Sequence, residues 1–265
     1  MKAASVRQPA VAGMFYPADP GELHEMVSDL LKQADQTGGV PKAVIAPHAG
    51  YIYSGPIAAS VYARITPGRD RIHRVVLLGP SHRVPFRGIA ASGADAFATP
   101  FGDVPLDKEA IELLRDIPHV TISDRAHAPE HSLEVQLPFL QEVLKDFLLV
   151  PLAVGDATPN QVATVLERLW GGPETLIVIS SDLSHYNDYN SASAMDHATS
   201  KAIEELRPDA IDYEQACGRL PIAGLLLVAR KKGLRVNTID LRNSGDTAGP
   251  RDQVVGYGGY VFMEG

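Results

Sequence analysis

Short, uniformly apolar runs punctuate the chain, each followed by a stretch whose apolar residues recur at helical spacing. Ala43-Val44-Ile45-Ala46, Val75-Val76-Leu77-Leu78 and Leu176-Ile177-Val178-Ile179 are too short for helices. They also lack the alternation of half-exposed strands, so they predict strands of a sheet covered on both faces. Residues 147–154 read as a further strand, and 236–241 and 254–262 as the last two. Between the strands the period changes. Leu23, Met26, Val27, Leu30 and Leu31 predict a helix that starts at Asp19-Pro20-Gly21-Glu22, with Asp19 as cap and Glu22 completing a capping box. Ile57, Val61, Tyr62 and Ile65 predict a second helix. Asp107 caps another, with Leu106 and Ile111 as a hydrophobic staple, and residues 130–134 open one with Pro138 in its first turns. Thr158-Pro159-Asn160-Gln161 starts a helix to about residue 170, and helices over 192–206 and 221–232 complete the alternation. The pattern is that of an α/β fold, a largely parallel or mixed central sheet flanked by helices. No repeat, linker or low-complexity tract interrupts residues 1–265, so a single domain is expected.

Composition narrows the classes of function. A hydrophobic fraction of 45% and a charged fraction of 21% are those of an ordinary globular chain. The net charge of -8 argues against a nucleic-acid partner, and Arg230-Lys231-Lys232 reads as a helix C-terminus that favours cations. No run approaches the ~20 apolar residues of a membrane span and no apolar signal core opens the chain, so no membrane partner and a cytoplasmic location are expected. The lone Cys217 suits a reducing compartment and reads as a buried structural thiol.

The candidate chemistry lies where strands end. Three buried-type strands run out into His48, His82 and His185, and the strand over 236–241 runs out towards Asp246. Ligands of open α/β sheets bind beyond the carboxyl ends of strands, so these side chains are expected to share one site. His24, His73, His119 and His197 read instead as surface or locally bonded rings. Two imidazoles with one carboxylate suit Fe(II) with open positions, and the same set suits zinc. His185 is then free as acid or base, with Asp182 orienting its ring. His127 and His131 flank Glu130 at a predicted helix start, where an anion or a substrate oxygen can sit. Asp246 follows Ser244-Gly245 and reads equally as a ligand or as a turn residue. Tyr51, Tyr53 and Tyr186 read as pocket lining or as packing. Nucleotide-binding fingerprints are absent, Ser81 and Ser184 sit in no nucleophile elbow, and Cys217 has no activating base nearby in sequence.

At these residues the sequence resembles the Memo family, also called AmmeMemoRadiSam system protein B. The matching segments are residues 7–17, Pro47-His48-Ala49-Gly50-Tyr51 with Ser54-Gly55, and Gly79-Pro80-Ser81-His82. They continue through Glu130-His131-Ser132-Leu133-Glu134 with Leu137-Pro138, Ser181-Asp182-Leu183-Ser184-His185, and Asn243-Ser244-Gly245-Asp246 before Val255-Gly256-Tyr257. That family is similar in fold to the class III (LigB-like) extradiol dioxygenases, which open catechol-type rings at a non-haem Fe(II) site. The resemblance implies His48, His82 and Asp246 as metal ligands and His185 as the acid–base histidine, with Asp182 and His131 beside it. Tyr51, Glu130, Tyr186 and Ser81 are expected about a substrate pocket. Fe(II) is the implied metal, with copper and zinc as alternatives, and the substrate is an unidentified small molecule or peptide. A non-enzymatic metal-binding or partner-binding role is the alternative to oxidoreductase activity, and a zinc hydrolase a further one. Relatives in the family are associated with AMMECR-type and radical-SAM proteins, which the resemblance implies as partners here.

Overall fold

The uniformly apolar runs form the middle of a sheet. In the computed structural model, which describes residues 5–265, the strands are β1 (Val6–Arg7), β2 (Ala43–Ala46), β3 (Arg74–Pro80), β4 (Ile89–Ala91), β5 (Ala96–Thr99) and β6 (Gly102–Pro105). They continue as β7 (Val120–Ile122), β8 (Leu148–Val154), β9 (Thr175–Ser180), β10 (His185–Asn187), β11 (Arg235–Asn243) and β12 (Val254–Met263). The α-helices are α1 (Pro20–Gln33), α2 (Tyr51–Tyr62), α3 (Lys108–Glu112), α4 (Asp124–His127), α5 (Leu137–Val143), α6 (Pro159–Leu169), α7 (Tyr189–Glu204) and α8 (Arg219–Lys232).

The main sheet runs β10-β12-β2-β9-β3-β8-β4-β7, with β11 paired to β12. Its centre, β2-β9-β3-β8, is parallel, while β12 joins β2 and β4 joins β8 in antiparallel fashion, so the sheet is mixed. Every residue of β2 and β9 is buried, as strands covered on both faces must be. One cover consists of α1, α2 and α5, which pack on one another with α2 against β2; the other pairs α6 with α8, and α8 meets β3 and β9. A separate three-stranded sheet, β1-β5-β6, packs against β8 of the main one through β6. Among the described residues no helix is long and apolar enough to cross a membrane.

Helix starts follow local chemistry. Asp19 accepts from the Gly21 and Glu22 N–H groups, although Glu22 makes no return bond, so the start is a simple cap and no capping box. Thr158 and Gln161 do form a reciprocal box. Asp107 caps α3 as expected, through the Ala110 N–H. Residues 130–134 differ from the sequence reading: they form turns, and the chain becomes α-helical only at α5 after a single 3₁₀ turn, Glu134–Gln136. The reason is Glu130, whose Oε1 accepts from the backbone N–H groups of His131 and Ser132 and curls the chain back. This loop presses onto the end of β3, where the Ser132 hydroxyl donates to the Pro80 carbonyl at 2.8 Å. Gly79 permits the contact, since a Cβ there would meet Ser132 Oγ at 2.8 Å.

Candidate metal centre

Because β2, β9 and β3 are parallel neighbours, their exits open at the same sheet edge. His48 lies two residues beyond β2 and His82 two beyond β3; Asp182 and His185 follow β9. The turned loop after α4 brings His131 over the same edge. One ring nitrogen from each of His48, His82 and His131 lies within 4.8 Å of the others. Ring centroids are 5.2 Å apart for His48–His82, 5.5 Å for His48–His131 and 4.7 Å for His82–His131.

Two of the three rings are held by their far nitrogens. His82 Nδ1 lies 3.0 Å from Glu130 Oε1, and His48 Nδ1 lies 2.8 Å from Ser180 Oγ. Both Nε2 atoms are thereby left for the shared centre, the arrangement by which protein-bound metals orient imidazole ligands. Glu130 is 1% exposed, and burial alone would raise its pKa; hydrogen bonds from the His82 ring and from the Ser132 and His82 N–H groups outweigh that and keep it ionised. His131 Nδ1 lies 3.3 Å from Glu130 Oε1 but has no hydrogen-bond partner, because that oxygen already accepts three donors. Burial pushes the His131 pKa down to about 4 and His48 well below its usual range, with the neighbouring histidines adding to both shifts. Neutral imidazole is the form that ligates a metal, so this donor set suits a transition-metal ion.

Asp182 and Cys217 form the floor beside His48. Asp182 Oδ1 accepts from the His48 backbone N–H at 2.7 Å, and its other oxygen lies 3.9 Å from His48 Nε2. Burial raises the Asp182 pKa. The expected orienting bond from Asp182 to the His185 ring is not formed among the described residues; Asp182 braces the His48 main chain instead. Cys217 Sγ lies 3.4 Å from His48 Nε2, brought there as Gly218 packs on the end of β9 and donates to Ser181 Oγ. Burial, followed by the Asp182 charge, pushes the thiol pKa up to about 12, which makes it a poor nucleophile.

Two clefts open over this floor. One, of about 650 Å³, is lined by Ser81, His82, His185, Tyr186 and Cys217 among others. The second, of about 420 Å³, is lined by Phe15, Tyr53, His131, Asp182, His185 and Tyr257, again with Tyr186. His185 and Tyr186 stand between them. Tyr186 has φ 60° and is 72% exposed, beside an irregularity in the β10–β12 pairing. A non-glycine residue in that region is uncommon, and such strain concentrates at functional sites.

Three sequence expectations place residues elsewhere. Among the described residues Asp246 is not in the histidine group: Oδ1 accepts from the Tyr189 hydroxyl at 2.7 Å and Oδ2 from the Asn243 N–H at 3.0 Å, closing the 3₁₀ turn Ser244–Asp246. Its contacts are those of the turn alternative, and the third member of the histidine group is His131. Tyr51 packs in the core with its hydroxyl donating to the Val135 carbonyl, so Tyr53 and not Tyr51 faces the cleft. Glu130 lies behind His82 and lines neither cleft.

His127 is likewise structural. Its Nε2 lies 2.9 Å from the Ala90 carbonyl and its ring meets Phe97 edge-on. Burial pushes its pKa down to about 4, assisted by Arg7 and opposed by the Ala90 bond, Asp124 and Glu130. An unfolded chain protonates this ring near pH 6.5, so its stabilising contribution is complete above that value and is lost as pH falls towards 4. Each pH unit in that window is worth about 1.4 kcal/mol. His127→Gln is expected to flatten the fall of thermal stability between pH 6.5 and 4; an unchanged slope would assign the fall to other groups. The four remaining histidines are local: His24 meets Glu142, His197 the Ser193 carbonyl, His119 the Gln161 carbonyl and His73, at 3.4 Å, the Asp146 carbonyl.

Comparison with known proteins identifies the family and the fold. A family model described as "Memo-like protein" matches residues 7–261. A "MEMO1 family protein" of Aquifex aeolicus is 38% identical over 273 residues, covering 97% of this chain and 99% of the relative. One of Aeropyrum pernix is 39% identical over 277 residues, covering 95% and 98%. Among solved structures, an uncharacterised protein of Escherichia coli K12 aligns with a TM-score of 0.56 at 14% identity, over 83% of this chain and 98% of that one. That likeness is one of fold.

Proposed function

The chain belongs to the Memo family, and from that membership and the clustered imidazoles we propose a metal-dependent oxidoreductase of the extradiol type. His48, His82 and His131 hold a non-haem Fe(II), and a small oxygen-bearing substrate lies in the adjoining clefts. The observation that carries this reading is the convergence of three imidazole nitrogens within 4.8 Å at the floor of open clefts. Three protein ligands leave positions free for other molecules, as catalytic metal sites require. Bound Fe(II) supplies an electron for dioxygen and Lewis acidity for a substrate oxygen.

The chain's own residues do the rest. Glu130 and Ser180 fix the ring orientations of His82 and His48. His185, lining both clefts without a place in the three-histidine cluster, takes a proton from a substrate hydroxyl and returns it later. Tyr186 and Tyr257 flank the bound molecule, and Phe15, in edge-on contact with the His131 ring at 5.0 Å, walls off the far side. Protein reconstituted with Fe(II) under anaerobic conditions and then given oxygen is expected to consume it in the presence of a catechol or aminophenol. Stoichiometric iron with no turnover over a broad ring panel would sink the oxidoreductase reading.

One observation favours a second reading. The Cys217 thiol beside His48 Nε2 is a soft donor next to imidazoles, a combination that suits Cu(I). Tight Cu(I) binding without oxygen consumption would make this a copper-holding protein built on the same pocket.

A further inference from the structure

The nitrogen that His48 offers to the centre is fixed by a hydrogen-bond chain that begins far behind it. The chain starts at the Pro47 carbonyl, which can only accept. Gln136 Nε2 lies 2.9 Å from that oxygen, so the amide must point its NH₂ that way and its oxygen towards Tyr62, whose hydroxyl donates to Oε1 at 2.7 Å. The second hydrogen of the same NH₂ reaches Ser180 Oγ at 2.8 Å. Ser180 Oγ therefore accepts from Gln136. Its single hydrogen goes to the Ser132 carbonyl, 2.6 Å away, an oxygen that also can only accept. One lone pair of Ser180 Oγ is left, and His48 Nδ1 sits 2.8 Å from it. That nitrogen must carry a hydrogen. Gln136, Ser180 and Tyr62 are fully buried, so no water can substitute for any of these partners.

We infer that Ser180 is a positioning residue: with its hydrogen committed to the Ser132 carbonyl and one lone pair to Gln136, it can only accept from His48 Nδ1 and so holds the ring in the tautomer whose Nε2 faces the centre. Without the Ser180 acceptor the Nδ1 hydrogen has no partner, and the ring hydrogen is free to move to Nε2, where it blocks ligation. The functional weight of this relay rests on His48 being a metal ligand, as proposed above, but the tautomer itself does not.

The experiment reads the tautomer in metal-free protein by long-range ¹H–¹⁵N correlation of the imidazole rings, with His48 assigned through His48→Gln. Wild type is expected to show His48 protonated on Nδ1 alone; a resonance pattern for hydrogen on Nε2 overturns the inference outright. Ser180→Ala is expected to shift the ring towards the Nε2–H form and to weaken zinc(II) binding by about tenfold to hundredfold, the usual cost of losing a ligand's supporting partner. Tyr62→Phe removes a buried hydrogen bond of the same chain but leaves the Pro47 and Ser180 contacts, so it is expected to lower stability while keeping the Nδ1–H pattern. Equal tautomer shifts in both variants would mean that the core is merely loosened, and would overturn the inference. If Ser180→Ala does not fold, the wild-type spectrum still decides. A wild type with Nδ1–H that binds no zinc(II) would leave the relay standing and remove the metal reading.

Discussion

His82→Ala and His48→Ala are each expected to abolish stoichiometric metal binding, with His131→Ala weakening it and Asp246→Asn leaving it intact. Loss of an outer hydrogen-bond partner alone costs about 10–100-fold in affinity, so removal of a ligand should exceed that range. The ordering follows from the supports. His82 is backed by the ionised Glu130 and His48 by Ser180, whereas His131 Nδ1 has no hydrogen-bond partner. Asp246 has both carboxylate oxygens occupied by Tyr189 and Asn243. Metal content of anaerobically reconstituted protein, measured by elemental analysis beside a folding control, separates the four variants. Metal lost with Asp246→Asn and retained with His131→Ala would restore the carboxylate as the third ligand.

Glu134→Ala should be the most destabilising of the single substitutions considered. The carboxylate is fully buried and accepts from the Arg7 guanidinium, from the Ala10 and Val11 N–H groups and from the Tyr16 hydroxyl. Removing it strands a buried guanidinium and three further donors. Breaking a buried ion pair from one side costs about 3–5 kcal/mol, which in a chain of this size lowers the melting temperature on the order of 10 °C. Replacing both partners, Arg7→Leu with Glu134→Leu, is expected to recover part of the loss, since no charge is left unpaired. A single substitution within about 1 kcal/mol of wild type in urea unfolding would refute the assignment. The effect should extend to the centre, because Arg7 also donates to the His127 and Glu130 carbonyls and so ties the opening segment to the loop carrying His131.

These contrasts show which features local sequence can encode. The apolar runs at 43–46, 75–78 and 176–179 became strands because full burial leaves no other use for them. Thr158 and Gln161 announced a helix start through a bond spanning three residues. His48 and His82 were legible as strand exits, since the side of a parallel sheet that carries a site is fixed by chain direction. The role of His131 was not, because it depends on a loop folding over Pro80, a contact made possible by Gly79 at the far end of a long sequence separation. Cys217 reaches His48 across 169 residues, and no local pattern signals that approach. Asp246 was ambiguous for a physical reason: an aspartate after Ser-Gly serves a tight turn as readily as a metal, and its Tyr189 partner lies 57 residues away in sequence. The short strands β4 to β7 escaped notice because three or four residues carry too little periodicity.

The spacing of the sheet limits which side chains can serve at its edge. His48 and His82 leave strands separated by one intervening strand, about 9.5 Å between backbones at ordinary strand separation. Both imidazoles must lean inward over β9 to bring their centroids to 5.2 Å. A thiol or a carboxylate on a single methylene is too short to cross that gap, so exchanging either histidine for cysteine or aspartate would shift the ion towards one flank instead of changing its chemistry in place.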